Sequence, residues 1–411
     1  MIETSNIRTE RLENGLRVLY IPLKESAIEY TGVTVKTGSR NDPKGLEGLA
    51  HFVEHTIFKG TGRRRSWHII NRMEAVGGEL NAYTTKETTV VYSLFPTGNF
   101  RRAADLISDL ITDSRFPTNE IEREREVVDE EISSYLDMPS EAVFDDFDDL
   151  LFEGCPLGHN ILGSREALRR MTSGDCRNWL ETYYTADNMV MFYAGPLPLS
   201  QVVKTVERYF GKLRPSAQGC IALPSKPTDR VFAEVKNYDN HQAHTVIGCA
   251  LPDMFWEGRY AMALLSNILG GPGMNSLLNV NLRERRGLVY SVDSSVSLMS
   301  DCGLFAVYYG CDPSDNDRCR RLVESTIAKL CESPLTQRQL DQAKRQYLGQ
   351  LAVAGENTEN IVLALARALL YRDEIIPDEV VREKILSISA DDLLEVAGRI
   401  APSKLSRLSL I

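Results

Sequence analysis

The spacing of apolar positions along this chain switches repeatedly between a period of two and a period near 3.6, the marks of strands and of amphipathic helices. Leu16 to Ile21 predicts a strand after an Asn14-Gly15 turn. Residues 32–37 predict a second, closed by Gly38 and Ser39. A helix follows, opened by Asp42-Pro43 and stopped by Gly60. Trp67 to Val76 predicts a helix ending at Gly77-Gly78. Alternation over Glu79 to Phe95 (Tyr83, Thr85, Thr89, Val91, Tyr92) predicts strand. Arg102 to Thr112 carries Ala103, Leu106, Ile107, Leu110 and Ile111 on one helical face. Pro117-Thr118-Asn119 opens a long helix to Leu136. Helices at Cys176 to Tyr184 and Ser200 to Phe210 enclose a strand at Met189 to Ala194.

The pattern then breaks. Residues 215–230 hold Pro215, Pro224 and Pro227 among polar residues and read as an interdomain linker. Beyond it the order repeats: strand at Val246 to Ala250, helix at Tyr260 to Leu269, strand at Leu304 to Tyr309, helix at Asp317 to Leu330. A Pro334-initiated long helix, a helix at Asp391 to Ile400 and a strand at Leu405 to Leu410 complete it. Two runs in the same order point to one α+β unit duplicated within the chain. The predicted architecture is two homologous domains, 1–214 and 231–411, each a mostly antiparallel sheet with helices packed on it.

A length of 411 residues fits two cores of about 200 residues each. The net charge of −10 disfavours nucleic acid, whose phosphates demand a basic face. Arg63-Arg64-Arg65 reads as a solvated turn. A membrane-spanning helix needs an apolar run of about 18 residues or more, and the chain holds no such run. Met1 to Asn14 is polar and lacks the apolar core of an export signal. The 8 cysteines (155, 176, 220, 249, 302, 311, 319, 331) form no C-x-x-C pair, which fits reduced thiols in a cytoplasmic protein.

Chemistry concentrates in His51-Phe52-Val53-Glu54-His55, an H-x-x-E-H run in a chain with only 6 histidines. On a helix His51 and His55 stand one turn apart on one face and can reach one metal ion. Glu54, about 100° around the axis, can approach that metal without being a required ligand. Two imidazoles and a carboxylate with an open fourth position make a catalytic zinc site. The helix after Pro117 offers the carboxylate. Ile121, Val128, Ile132 and Tyr135 form its apolar stripe. Glu124 and Glu131 fall along the edge of that stripe, and Glu130 faces water. Pairing Ile121 with Leu340 sets Ala343 against Glu124 and Gln350 against Glu131, so both carboxylates vanish where the histidines are missing.

With Thr37-Gly38-Ser39-Arg40, Phe58-Lys59-Gly60-Thr61, Leu80-Asn81-Ala82-Tyr83-Thr84 and the run Leu282 to Ser291, the chain resembles the pitrilysin/insulinase family of zinc peptidases, the inverzincins. The interval from His55 to Glu131 also resembles that family's spacing between its H-x-x-E-H run and a glutamate ligand. In length the chain is similar to the half-size, two-domain branch of bacterial peptidases and the β subunit of mitochondrial processing peptidase. The resemblance implies one zinc per chain on His51, His55 and Glu131, with Glu124 in support and Glu54 as general base. It implies that Asn81 and Ala82 lie on an edge strand that pairs with substrate main chain. It further implies that Arg283 and Tyr290 hold substrate carbonyls and the developing oxyanion, and that the chain dimerises with itself or with a related chain. The implied activity is hydrolysis of short or unfolded peptides in an enclosed chamber. The alternatives are a partner-dependent maturation peptidase and a non-catalytic peptide-binding subunit of a heterodimer.

Overall fold

The computed structural model describes residues 2, 4–216, 224–228, 230–238 and 241–411. Of the expected linker, 217–223 and 229 lie outside the described residues, as does Cys220. The chain forms two α+β units. The first gathers the described residues of Met1–Ile132, His159–Leu223 and Gly355–Pro377, the second those of Ser133–Gly158, Pro224–Ala354 and Asp378–Ile411. Each unit thus takes in a segment from the other half of the sequence, an exchange that a boundary drawn by chain order does not contain.

The strands of the first unit are β1 (Arg8–Arg11), β2 (Arg17–Pro22), β3 (Ile28–Val35), β4 (Glu79–Thr84), β5 (Thr89–Pro96) and β6 (Met189–Gly195), in the order β1-β2-β6-β3-β5-β4. Those of the second are β7 (Ala233–Lys236), β8 (Ala243–Leu251), β9 (Val289–Leu298), β10 (Gly303–Cys311) and β11 (Ser406–Leu410), in the order β7-β11-β8-β10-β9. The five-strand order maps onto β2-β6-β3-β5-β4. Even the single parallel pair corresponds, β2 with β6 and β7 with β11. The two domains are therefore homologous, and the sheets are mostly antiparallel.

Each sheet is covered on both faces, which is why β6 and β10 are buried at every residue and read as unbroken apolar runs. In the first unit the main core joins Val33, Val35, Val91 and Met191 of the sheet to Phe52, Leu106, Leu110 and Trp179 of the helices. The opposite face, with Leu19, Ile21 and Phe192, is covered by Val362, Ala366 and Leu369 of the helix Thr358–Arg372. In the second unit the helix Pro139–Leu151 does the same with Val143 and Phe147.

The α-helices of the chain up to Leu136 are α1 (Leu49–Thr56), α2 (Ser66–Glu74), α3 (Phe100–Asp113) and α4 (Thr118–Leu136), and α1 and α4 carry the candidate ligands. The duplication persists in detail on α4. Its counterpart is Gln337–Ala354, where Gln337 answers to Thr118 in the same register that pairs Leu340 with Ile121. In that register Lys344 stands for Arg125. Arg125 donates to the carbonyls of Leu168 and Met171, and Lys344 to that of Leu386. Both cations meet carbonyls at the end of a short helix, where the dipole favours positive charge.

Candidate metal centre

Helix α1 starts later than its sequence suggests. Pro43 does not open it. Gly48, at φ +101°, precedes Leu49, and a Cβ there would meet the Leu162 carbonyl oxygen at 2.5 Å. Asp42 nevertheless caps the helix from six residues upstream. Its fully buried carboxylate accepts the Gly48 N–H at 2.7 Å and the Ala50 N–H at 2.8 Å, an anion where the dipole is positive. His159 Nε2 is 3.1 Å from the same carboxylate, so a residue that reads as a plain loop position instead braces the metal helix. Burial raises the Asp42 carboxyl, and the His159, Gly48 and Ala50 hydrogen bonds oppose it. Asp42→Ala is expected to destabilise the protein by about 2 kcal/mol, seen as a lower urea midpoint at neutral pH, because two N–H groups lose a charged acceptor.

At the other end α1 runs into the 3-10 turn Ile57–Lys59 and stops at Gly60, whose φ of +147° suits glycine. His51 and His55 share one face, with ring centroids 4.5 Å apart. Glu131 of α4 meets them: its Oε2 is 3.3 Å from His55 Nε2 and 3.7 Å from His51 Nε2. One ligand atom from each residue lies within 4.8 Å of the other two. The side chain of Glu131 is 43 % exposed, yet its Oε2 is turned inward and buried without a hydrogen-bond partner, as is His51 Nδ1. A buried oxygen so placed costs free energy unless something pairs with it, and a cation among these atoms does so. The residues fit zinc, which takes imidazole nitrogens and carboxylate oxygens and leaves a position open in catalytic sites.

The surrounding residues sort themselves by geometry. Glu124 is 6 % exposed, and its Oε1 accepts from His55 Nδ1 at 3.0 Å. Glu130 is exposed. Glu54 is held by Thr84 of β4, whose hydroxyl donates to its Oε2 at 3.2 Å. Burial raises the Glu54 carboxyl above the usual range, with the His55 charge and the Thr84 hydrogen bond opposing. Asn81 and Ala82 lie on β4, which ends the sheet and pairs only with β5. In the second unit Arg283 sits in the π-helical segment Asn279–Glu284, and Tyr290, 69 % exposed, is the second residue of β9, the edge of that sheet. Arg63 and Arg64 are not simply solvated: both pair with the buried Asp109. Where the second unit repeats α1, a helix behind Gly258 carries buried Ala261, Leu264 and Leu265 in place of His51, Glu54 and His55. Gln350 of that unit accepts a hydrogen bond from Asn267 at 2.7 Å.

The two imidazoles differ electrically. Burial, then the charge of His55, pushes His51 down to about 3, so it is neutral through the working range. His55 is raised. Burial opposes its cation, but the Glu124 hydrogen bond and the charges of Glu54, Glu131 and Glu124 outweigh that. In the metal-free protein a proton on His55 thus supplies part of the positive charge that three carboxylates attract. That proton is bound more tightly folded than unfolded. Its stabilising contribution is complete below about 6.5 and is lost as pH rises through the raised folded value. A metal must displace it. Zinc affinity is expected to climb with pH across this interval and then level off, with proton release detectable by calorimetry in buffers of different ionisation enthalpy. A flat profile without proton release would contradict the assignment.

Known proteins share both the fold and the histidine-bearing half. Residues 17–165 match the family model described as "Insulinase (Peptidase family M16)", and 170–347 match "Peptidase M16 inactive domain". An uncharacterized zinc protease of Streptomyces coelicolor is 31 % identical over 95 % of this chain and 86 % of its own length. One of Bacillus subtilis is 31 % identical over 86 % of each. The crystal structure of a Helicobacter pylori protease superposes with a TM-score of 0.90 at 22 % identity, covering 99 % of both chains. A Pseudomonas fluorescens structure described as a peptidase M16 inactive domain gives 0.89 at 19 % identity, over 98 % of this chain and 97 % of that one. These two likenesses concern the fold.

Proposed function

Because this chain belongs to the insulinase family of peptidases, family M16, we propose that it is a zinc-dependent endopeptidase acting on short or unfolded peptides. The observation that carries the reading is the inward-turned Oε2 of Glu131, buried without a hydrogen bond and aimed at the two imidazoles of one helical turn. His51, His55 and Glu131 would hold one zinc ion. When bound, zinc supplies a Lewis acid that polarises a scissile carbonyl and makes water a better nucleophile near neutral pH.

The remaining steps belong to the chain itself. Glu54 takes a proton from the attacking water and returns it to the leaving amine. Thr84 orients that carboxylate through its hydroxyl. The free edge of β4 at Asn81 and Ala82 receives an extended peptide by main-chain pairing, which favours unfolded substrates over folded ones. Arg283 and Tyr290 hold substrate carbonyls, and Tyr290 donates to the oxyanion. The proposal includes an enclosed chamber, a cytoplasmic location and a homodimer, or a heterodimer with a related chain, in which Arg283 and Tyr290 serve the partner's centre. No helix among the described residues is long and apolar enough to cross a membrane.

A second reading is favoured by the likeness of residues 170–347 to an inactive domain of the family. It makes the chain a partner-dependent maturation peptidase or a non-catalytic peptide-binding subunit. Purified chain incubated with an unstructured peptide, with and without chelator, separates the readings. Chelator-sensitive cleavage by the chain alone supports the endopeptidase. Cleavage only after a related chain is added supports partner dependence, and binding without cleavage in both mixtures supports the non-catalytic subunit.

A further inference from the structure

We infer that Lys59 is a positioning residue of the metal centre, acting on His55 through Glu124. The inference rests on the zinc reading of the site. Lys59 lies four residues beyond His55, on the 3-10 turn Ile57–Lys59 that continues α1. Its Nζ is 2.6 Å from Glu124 Oε2, while His55 Nδ1 is 3.0 Å from Glu124 Oε1. Two donors from one turn therefore hold the two oxygens of one carboxylate. The carboxylate cannot rotate without losing one of them.

The consequence passes to the imidazole. With Nδ1–H donating to Glu124, the lone pair of His55 is fixed on Nε2, the nitrogen that faces Glu131 at 3.3 Å. The same carboxylate ties the end of α1 to α4, the two helices that supply the candidate ligand atoms. Glu124 is buried, and a buried carboxylate needs full pairing to stay put. Lys59 supplies the second half of that pairing from a side chain that is itself 27 % exposed. An ion pair that served stability alone would move the unfolding midpoint and leave metal affinity untouched. One that holds a ligand in place moves metal affinity at constant fold.

The test uses Lys59→Met, which keeps the stem and removes the charge, and Lys59→Arg, which restores a donor. Zinc dissociation constants are measured by competition with a chromophoric chelator at one pH, together with urea unfolding of the metal-free proteins. Loss of a partner behind a ligand costs roughly 10- to 100-fold in metal affinity. Lys59→Met is expected to weaken zinc about 10-fold and to speed its dissociation, with Lys59→Arg recovering most of the loss. Zinc binding by Lys59→Met equal to that of the wild type would overturn the role of Lys59 and leave the zinc site standing. So would equal weakening in both variants in step with their unfolding midpoints. A wild-type chain that binds no zinc would overturn both.

Discussion

Replacing Glu54 by glutamine is expected to lower peptide hydrolysis by a factor of about 10² to 10⁴ while the zinc stays bound. The two results separate because of where Glu54 points. It lies between the ligand histidines in sequence, but its Oε2 accepts from Thr84, and it is not one of the three residues whose ligand atoms cluster. Glutamine keeps the size of the side chain and an oxygen for the Thr84 hydroxyl. What it loses is the ability to take up a proton. Burial already lifts the Glu54 carboxyl, which brings it nearer the operating range of a general base. In the proposed mode substrate binds the β4 edge by main-chain pairing without this carboxylate, so the loss should fall on kcat rather than on KM. The measurement is steady-state cleavage of an unstructured peptide alongside zinc content. Wild-type turnover in the variant would remove Glu54 from the chemistry.

The second large effect is on the metal itself. Glu131→Gln is expected to abolish stoichiometric zinc after dialysis, a loss beyond the roughly 10- to 100-fold that follows when a partner behind a ligand is removed. The second unit bears glutamine at this place. Gln350 occupies the counterpart position on the second unit's long helix, where Ala261 and Leu265 stand for the two histidines. The amide oxygen there accepts from Asn267, so the position is served by an ordinary hydrogen bond where the cluster is absent. Glu131 has no such hydrogen-bond partner at its Oε2 among the described residues. Its side chain is 43 % exposed, so the metal-free fold should tolerate the substitution. Unchanged far-ultraviolet dichroism with lost zinc is the predicted pair of results. Full zinc occupancy would take Glu131 out of the ligand set.

Much of this site is legible in the chain because its geometry is local. His51, Glu54 and His55 sit within one and a half turns, and sorting Glu124 and Glu131 from Glu130 needs only the stripe set by Ile121, Val128 and Ile132. What is not legible depends on contacts distant in sequence. The Asp42-Pro43 signal misplaces the start of α1 because the carboxylate that caps the helix arrives through a loop, with His159 braced from 117 residues away. Lys59 stands in the run Phe58 to Thr61, but the chain does not show what it holds, since its partner lies on another helix. The helix Thr358–Arg372 goes unread for a related reason. Its apolar residues do not keep to one narrow stripe, and the sheet it covers is built from strands of the other half of the sequence, the last ending at Gly195. Strands β1 and β7 are four residues each and exposed at every residue, too short for a pattern to single them out.

The most direct test is anomalous diffraction at the zinc edge from crystals of the purified chain saturated with zinc. One peak per chain, bonded at about 2.0–2.2 Å to His51, His55 and Glu131, is the predicted result. A fully occupied zinc elsewhere, with this cluster unbound, would contradict it.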